Sequence, residues 1–363
     1  MVFQWYLFPL LLFVAWFAKA AGQTYTVDVN GRTERRYGWT PVLMIVLPLI
    51  ILAGTRENIG DTWAYRASFL SGYESIFDAV SSQGKDKGFT VFTYFLKRLT
   101  SGNDILYFLI IATICLMCVA IIYKKYSCNF AVSMFLFVAS SDYLQWNYNG
   151  MRQFIAVAVI FAATDLLLER KYFKYYILIL LMSTIHMSAL IMIPVSLFVV
   201  GKPWNTKTVL FIVSVFIAIN FSEGLQQLVV EFMSETQYKG EINQYLETKG
   251  TNIFRVLVFC IPPVMALLSK RFLLAVNSPI INLSANMSVI SMGTYIVSAV
   301  TSGIFIGRIP IYFSLYNYIL LPWVVEKMFD KWTQKLVYGC IIVCYLAFYW
   351  YQMTVAWDFS AFI

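Results

Sequence analysis

The polar residues best able to do chemistry stand beside or inside apolar runs: Arg56, Asp61, Arg66, Asp142, Asn147, Asn149, Arg152, Gln153, Arg308 and the chain's one histidine, His186. Arginine presents a planar fork that pairs bidentately with phosphate oxygens and stays charged in partly dehydrated surroundings. A pyrophosphate-linked substrate suits it. Arg152 opens an apolar run behind Trp146-Asn147-Tyr148-Asn149-Gly150-Met151, where a helix N-terminus would add free amides and a favourable dipole for an anion. Arg308 is placed similarly, between Gly307 and Ile309-Pro310, since proline suits the first turn of a helix. His186 is the simplest candidate for a base that titrates near neutrality, with Asp61 and Asp142 as alternatives. Each residue also has a plainer explanation. Arg56 can pair with Glu57 or Asp61, Arg66 and Arg152 with another acid, and His186 can be satisfied by Ser183, Thr184 or Ser188.

The elements that must position these groups are set by composition. Of the 363 residues, 60% are hydrophobic and 13% charged, where a soluble domain carries about 25% charged residues. Apolar stretches long enough to cross a hydrocarbon core of about 30 Å recur from end to end. A lipid-exposed strand edge would leave backbone groups unpaired, whereas a helix pairs them internally. The expectation is an all-α, polytopic integral membrane protein, residues 1–363 forming a single transmembrane domain. About ten or eleven hydrophobic segments are expected, at 2–19, 39–54, 104–123, 129–146, 151–168, 173–200, 207–222, 252–269, 284–303, 309–325 and 336–355. Residues 2–19 are read as a span rather than a cleaved leader, because no basic stretch precedes the apolar run.

Orientation follows from the basic loops, which are retained on the cytoplasmic side. These hold Arg32, Arg35 and Arg36; Lys124 and Lys125; Arg170, Lys171 and Lys174; Lys270 and Arg271; and Lys327, Lys331 and Lys335. Placing them inside puts loops 55–103 and 223–251 outside, where residues 62–80, 86–100 and 223–248 mix aromatics and charges as surface-lying helices do. The 28-residue segment 173–200 is interrupted at Ser183-Thr184-Ile185-His186-Met187-Ser188. It is read as a re-entrant pair of short helices meeting near His186, the alternative being one long tilted helix. In this topology Arg56, Asp61, Arg66, Asp142, Asn147, Asn149, Arg152 and Arg308 all fall at or near the outer face, and His186 can approach them from the hairpin tip. The positive-inside rule does not account for arginines there, so they need another reason.

The net charge of +8 is dispersed through short loops rather than gathered on one surface, which argues against nucleic acid. The six cysteines lie in or beside apolar stretches, far in sequence from His186. They read as buried thiols, Cys115 and Cys118 included, rather than a metal site.

Arg56-x-x-x-Gly60-Asp61-Thr62-x-x-Tyr65, then Gly88-Phe89, Asn149-Gly150-x-Arg152-Gln153, His186-x-Ser188-Ala189, and Arg308 before an aromatic-rich helix ending in Pro322 together resemble the EpsG/Wzy family of bacterial polysaccharide polymerases. The likeness runs over most of the chain. It implies a multi-pass protein of the bacterial plasma membrane acting in exopolysaccharide, O-antigen or capsule synthesis. Its partners would be undecaprenyl-pyrophosphate-linked glycans, the bilayer and other polysaccharide-assembly proteins. Repeat units would be joined at the outer face, and lipid pyrophosphate released, with neither cofactor nor metal required. The implied roles are His186 as base, with Asp61 in reserve, and Arg152, Arg308 and Arg56 on pyrophosphate. Gln153, Asn149 and Tyr65 complete the substrate site. One departure is that the acid expected just before Gly88-Phe89 is replaced by Lys87, behind Asp86. Two other classes share many of these features: a flippase for lipid-linked glycans, and a non-catalytic assembly subunit.

Overall fold

The computed structural model describes residues 8, 9, 13, 24–28, 33–81, 86–235, 239–247, 249–303 and 305–356. The expected first span, 2–19, lies almost wholly outside them. The chain divides into two compact units, one of Met1–Ile193 with Gly339–Ile363 and one of Pro194–Tyr338.

The first unit begins with an antiparallel hairpin, β1 (Thr24–Asp28) and β2 (Thr33–Tyr37), with Thr24 opposite Tyr37. The all-α expectation holds for the fold as a whole, and this one two-stranded hairpin is a small addition to it. The argument against sheets concerns strands exposed to lipid, and these two lie before the first described apolar helix and pair with each other. The helices that follow are α1 (Trp39–Gly54), α2 (Thr62–Ser71), α3 (Ile76–Ser81), α4 (Lys87–Leu99), α5 (Asp104–Tyr126), α6 (Phe130–Ala139), α7 (Asp142–Tyr148), α8 (Met151–Ala162), α9 (Thr164–Leu168) and α10 (Tyr172–Ile185).

α5 is the axis of this unit. Asn103 caps it by accepting from the Leu106 amide at 3.0 Å, and Asp104 opens it. Lys124 and Lys125 close it, so both ends complement the helix dipole. Phe108, Ile111, Cys115, Val119 and Ile122 recur at helical spacing and are all buried. α1 and α8 pack along α5 and α10 packs on α8; Gly54 approaches Leu109 so closely that a side chain there would have no room.

The two ends of α5 meet different chemistry. At its C-terminal end, Arg36 donates to the Ser127 carbonyl, Lys124 lies 4.9 Å from the Trp39 ring, and Lys125 and Tyr126 both bond Asp165. At its N-terminal end, Asp104 takes Arg66, and the Phe108 ring lies 4.3 Å from the Arg56 guanidinium. Arg36, Lys124 and Lys125 therefore stand at one end and Arg56 and Arg66 at the other. A 23-residue helix separates the two ends by about 34 Å.

α2, α3 and α4 confirm the expected helices within 62–80 and 86–100, and they leave Trp63, Leu70, Phe77, Phe95 and Leu99 exposed. α10 stops at His186, whose backbone is extended at φ −156°, ψ 118°, and a 3-10 turn, Met187–Ile191, follows before α11 (Met192–Val199). One continuous helix over 173–200 is thus excluded.

In the second unit α12 (Thr206–Asn220), α13 (Ser222–Ser234), α14 (Ile242–Glu247), α15 (Ile253–Leu268), α16 (Lys270–Val276), α17 (Pro279–Val300), α18 (Ile311–Ser314) and α19 (Asn317–Met328) follow in order. α17 is central and packs on α12, α15, α18 and α19. α20 (Lys331–Tyr351) ends in a π-helical turn, Gln352–Ala356.

Three helices among the described residues are long and apolar enough to cross a membrane: α5, α17 and α20 with its π turn. A fourth arises if α15 and α16, bent by 69°, form one broken span. This corrects the count of ten or eleven. The expected segments are helical but often broken: 129–146 divides at Ser140-Ser141, 151–168 at Ala163, and 309–325 between α18 and α19. Six shorter apolar helices, of 10–17 residues, result.

Candidate functional site

The loop after α1 is built around two arginines. The Arg56 guanidinium is buried between the Phe108 ring at 4.3 Å and the Tyr148 ring at 5.0 Å. It donates to the Asn147 carbonyl and, at 3.7 Å, to Met151 Sδ. Its Nε has no hydrogen-bond partner among the described residues. Burial lowers the guanidinium from its ordinary value, while Tyr148 and Tyr143 act in the opposite direction. Arg66 lies over this loop: Nε donates to Asp104 Oδ2 at 2.6 Å, Nη1 to Asn58 Oδ1, and Nη2 to the Arg56 carbonyl at 3.0 Å. The ion pair expected as an alternative for Arg66 is therefore present, with Asp104, whereas the interactions described for Arg56 are with a carbonyl, a thioether and aromatic rings. An open cleft of about 450 Å³ is lined by Arg56, Glu57, Asn58, Ile59 and Arg66.

Gly60 turns the chain at φ +58°, and a side chain on it would overlap the Asn149 amide. The Asp61 amide donates to Asn149 Oδ1 at 3.1 Å. The Gly60-Asp61 and Asn149-Gly150 elements, far apart in sequence, thus dock directly. The Asp61 side chain is exposed at the start of α2, and that of Gln153 is buried.

Arg152 stands in the first turn of α8, as expected, with Gly150 at the N-cap. Its Nη1 donates to Asp86 Oδ2 at 2.9 Å, the arginine side chain 34% exposed and the aspartate 2%. The acid that the sequence lacks directly before Gly88 is therefore supplied from two residues back. Gly88 packs against Thr184, two residues before His186, with no room for a side chain between. The Phe89 ring lies 6.0 Å from the Arg152 guanidinium and 6.0 Å from the Tyr65 ring. The first turn of α4 touches the surroundings of Tyr65, Arg152 and His186 together.

His186 is half-buried, with Nδ1 2.7 Å from Ser188 Oγ and 3.4 Å from the Ser188 amide. The satisfied-histidine alternative is thus realised at one ring nitrogen.

Arg308 falls in the second unit, in a 3-10 turn, Ile306–Arg308, that precedes α18. Gly307 is buried against Thr251 Oγ1, which receives a 2.7 Å hydrogen bond from Ser298. Four residues after Thr251, Arg255 is buried within α15, its Nε 3.4 Å from the Tyr295 hydroxyl and its guanidinium 5.2 Å from the Phe259 ring. Sequence reasoning named Asp86 only as the acid behind Lys87 and passed over Asp104 and Arg255. For Arg255 a signal was present, because an arginine inside an apolar helix is a functional candidate by default.

Within the first unit, Arg56, Arg66, Arg152, Asp86, Phe89, Tyr65 and His186 form an anion-attracting arrangement: buried or half-buried guanidinium groups, an orienting carboxylate, aromatic rings and an imidazole. The EpsG family model matches residues 39–362, which takes in every element just described. No curated protein and no solved structure matches the chain.

Proposed function

The chain belongs to the EpsG family, the family of polysaccharide polymerases, and from that premise we propose that it is a membrane glycosyltransferase. It joins undecaprenyl-pyrophosphate-linked repeat units at the outer face of the bacterial plasma membrane. The observation that carries this reading is the polarity of α5, with Lys124 and Lys125 at one end and Arg56, Arg66 and Arg152 gathered at the other. With the lysine end cytoplasmic, the arginines meet substrate from outside.

In the proposed reaction a sugar hydroxyl of one lipid-linked unit attacks the anomeric carbon of another glycan. The bond from that carbon to the diphosphate oxygen breaks, and lipid pyrophosphate leaves with the bonding pair. Arg152 neutralises the charge on the diphosphate, assisted by Arg56. His186 takes the hydroxyl proton. In the tautomer whose Nδ1–H donates to Ser188 Oγ, Nε2 is the nitrogen that takes it. Asp61 is the reserve base. Tyr65 and Phe89 offer ring faces to the sugars, and Asn149 holds the Asp61 loop in place. α10 has 14 residues, about 21 Å of helix, which is short of the roughly 30 Å needed to cross. Entering from the cytoplasmic side, it would deliver His186 below the outer surface, where a polyprenyl diphosphate head can meet it.

The test is transfer by purified protein in nanodiscs supplied with synthetic lipid-pyrophosphate repeat units. Product ladders are expected from wild type and not from His186→Ala or Arg152→Lys. The lysine variant keeps a cation for Asp86 while removing the planar fork. Wild type that binds the unit but lengthens nothing would leave a lipid-glycan carrier or a non-catalytic subunit. The Ser188 contact favours the second of these, since it satisfies His186 without a substrate.

A further inference from the structure

Asp86 is in an unusual position for the N-cap of a helix. Its backbone is left-handed, at φ +56°, and its side chain makes no bond to the first turn of α4. An N-cap aspartate ordinarily accepts from its own helix, and a non-glycine residue at positive φ is held there only when its surroundings over-determine it. Here the carboxylate is directed to Arg152, 66 residues away, and is almost completely buried while the arginine remains a third exposed. A buried carboxylate is tolerated when paired, and this one pairs with Arg152 in place of capping its own helix. Three residues on, Phe89 faces the same guanidinium and Tyr65, and between them Gly88 rests on Thr184.

Resting on the proposed function, we propose that Asp86 is a positioning residue. Its carboxylate fixes the Arg152 fork at the diphosphate site, and the first turn of α4 registers that fork against Tyr65 and the His186 turn. A guanidinium has five donors in a fixed geometry. The bond to Asp86 sets its plane, while the side chain stays about a third exposed and so within reach of phosphate oxygens. Holding a charged group through a partner that never touches substrate is how functional sites keep sub-ångström geometry.

The experiment uses full-length protein in nanodiscs with wild type, Asp86→Asn, and the exchange Asp86→Arg with Arg152→Asp. Three quantities are read: the rate of phenylglyoxal modification at residue 152 by peptide mass spectrometry, binding of undecaprenyl diphosphate, and the melting temperature. For Asp86→Asn, Arg152 should be modified several-fold faster, and undecaprenyl diphosphate should bind roughly tenfold more weakly, the lower end of what losing a supporting partner costs at a metal site. The exchange restores the pair and so should recover the melting temperature, but it points the cation from the wrong element and should not recover binding. If Asp86→Asn labels and binds as wild type does, or if the exchange recovers binding along with stability, the pair is only structural and the proposal is overturned. Should Asp86→Asn not fold, the exchange alone decides. Wild type that binds no diphosphate would remove the substrate reading, while the labelling rate still reports whether Asp86 fixes Arg152.

Discussion

The backbone amide of Asp61 donates to the side-chain oxygen of Asn149 at 3.1 Å, joining the loop after α1 to the turn before α8 across 88 residues. Gly60 makes this approach possible, because its φ is +58° and a Cβ would collide with the Asn149 amide. Gly60→Ala should therefore destabilise the protein by about 1–3 kcal/mol through backbone strain and lost docking, and it should abolish polymer formation. Asn149→Ala removes the hydrogen bond without the clash, so its melting temperature should fall less. Equal melting temperatures for wild type and Gly60→Ala would show that the two elements are not docked.

Arg66 and Asp104 form a second tie, at 2.6 Å, with side chains 22% and 30% exposed. Solvent screens a pair of this exposure, so a double-mutant cycle on thermal or denaturant unfolding should give a coupling of only about 0.5–1 kcal/mol. Arg66 also holds Asn58 and the Arg56 carbonyl. Arg66→Ala should consequently weaken binding of the lipid-linked unit more than Asp104→Ala does. Identical binding losses would assign both residues to the ion pair alone.

The distribution of arginine and lysine along α5 makes a prediction about sidedness. Cys128 follows the lysine end and is half-buried, whereas Ser101 precedes the opposite end and is exposed. A membrane-impermeant maleimide should label Cys128 in inside-out vesicles and a Ser101→Cys variant in spheroplasts. Labelling of both positions from the same side would reverse or discard the topology.

Much of this arrangement could be read from residue order, because local signals set it. Asn103 and Asp104 announce the start of α5, and Lys124 and Lys125 its end. Ser183-Thr184 before His186 announce the break after α10. The number of spans was not legible for a related reason: apolar content does not record where a helix stops. Ser141 adopts φ +66° between α6 and α7 with no glycine or proline to mark it, and Ala163 divides α8 from α9, again with neither glycine nor proline. Those breaks depend on packing from elsewhere in the chain. The hairpin did carry a signal, since Asn30-Gly31 is a strong turn dipeptide, but basic residues in the same stretch drew the reading toward a loop. Asp86 and Arg152 share no periodicity or motif, and their pairing across 66 positions is a product of tertiary structure alone.

His186 and Ser188 offer the sharpest separation of chemistry from architecture. The ring is engaged through Nδ1 by the Ser188 hydroxyl at 2.7 Å, which sets its orientation. If His186 is the base, His186→Ala should lower turnover by roughly 10²–10⁴-fold, the usual contribution of general base catalysis. Ser188→Ala keeps the imidazole but frees it to rotate, so turnover should fall by a smaller factor with KM for the lipid-linked unit little changed. A histidine that only completes the polar break after α10 gives the opposite pattern. Both variants would then melt earlier, while turnover per folded molecule stayed at the wild-type value. Single-turnover rates measured alongside melting temperatures in the same nanodiscs distinguish the two, because loss of the break lowers the folded fraction and loss of the base lowers the rate within it.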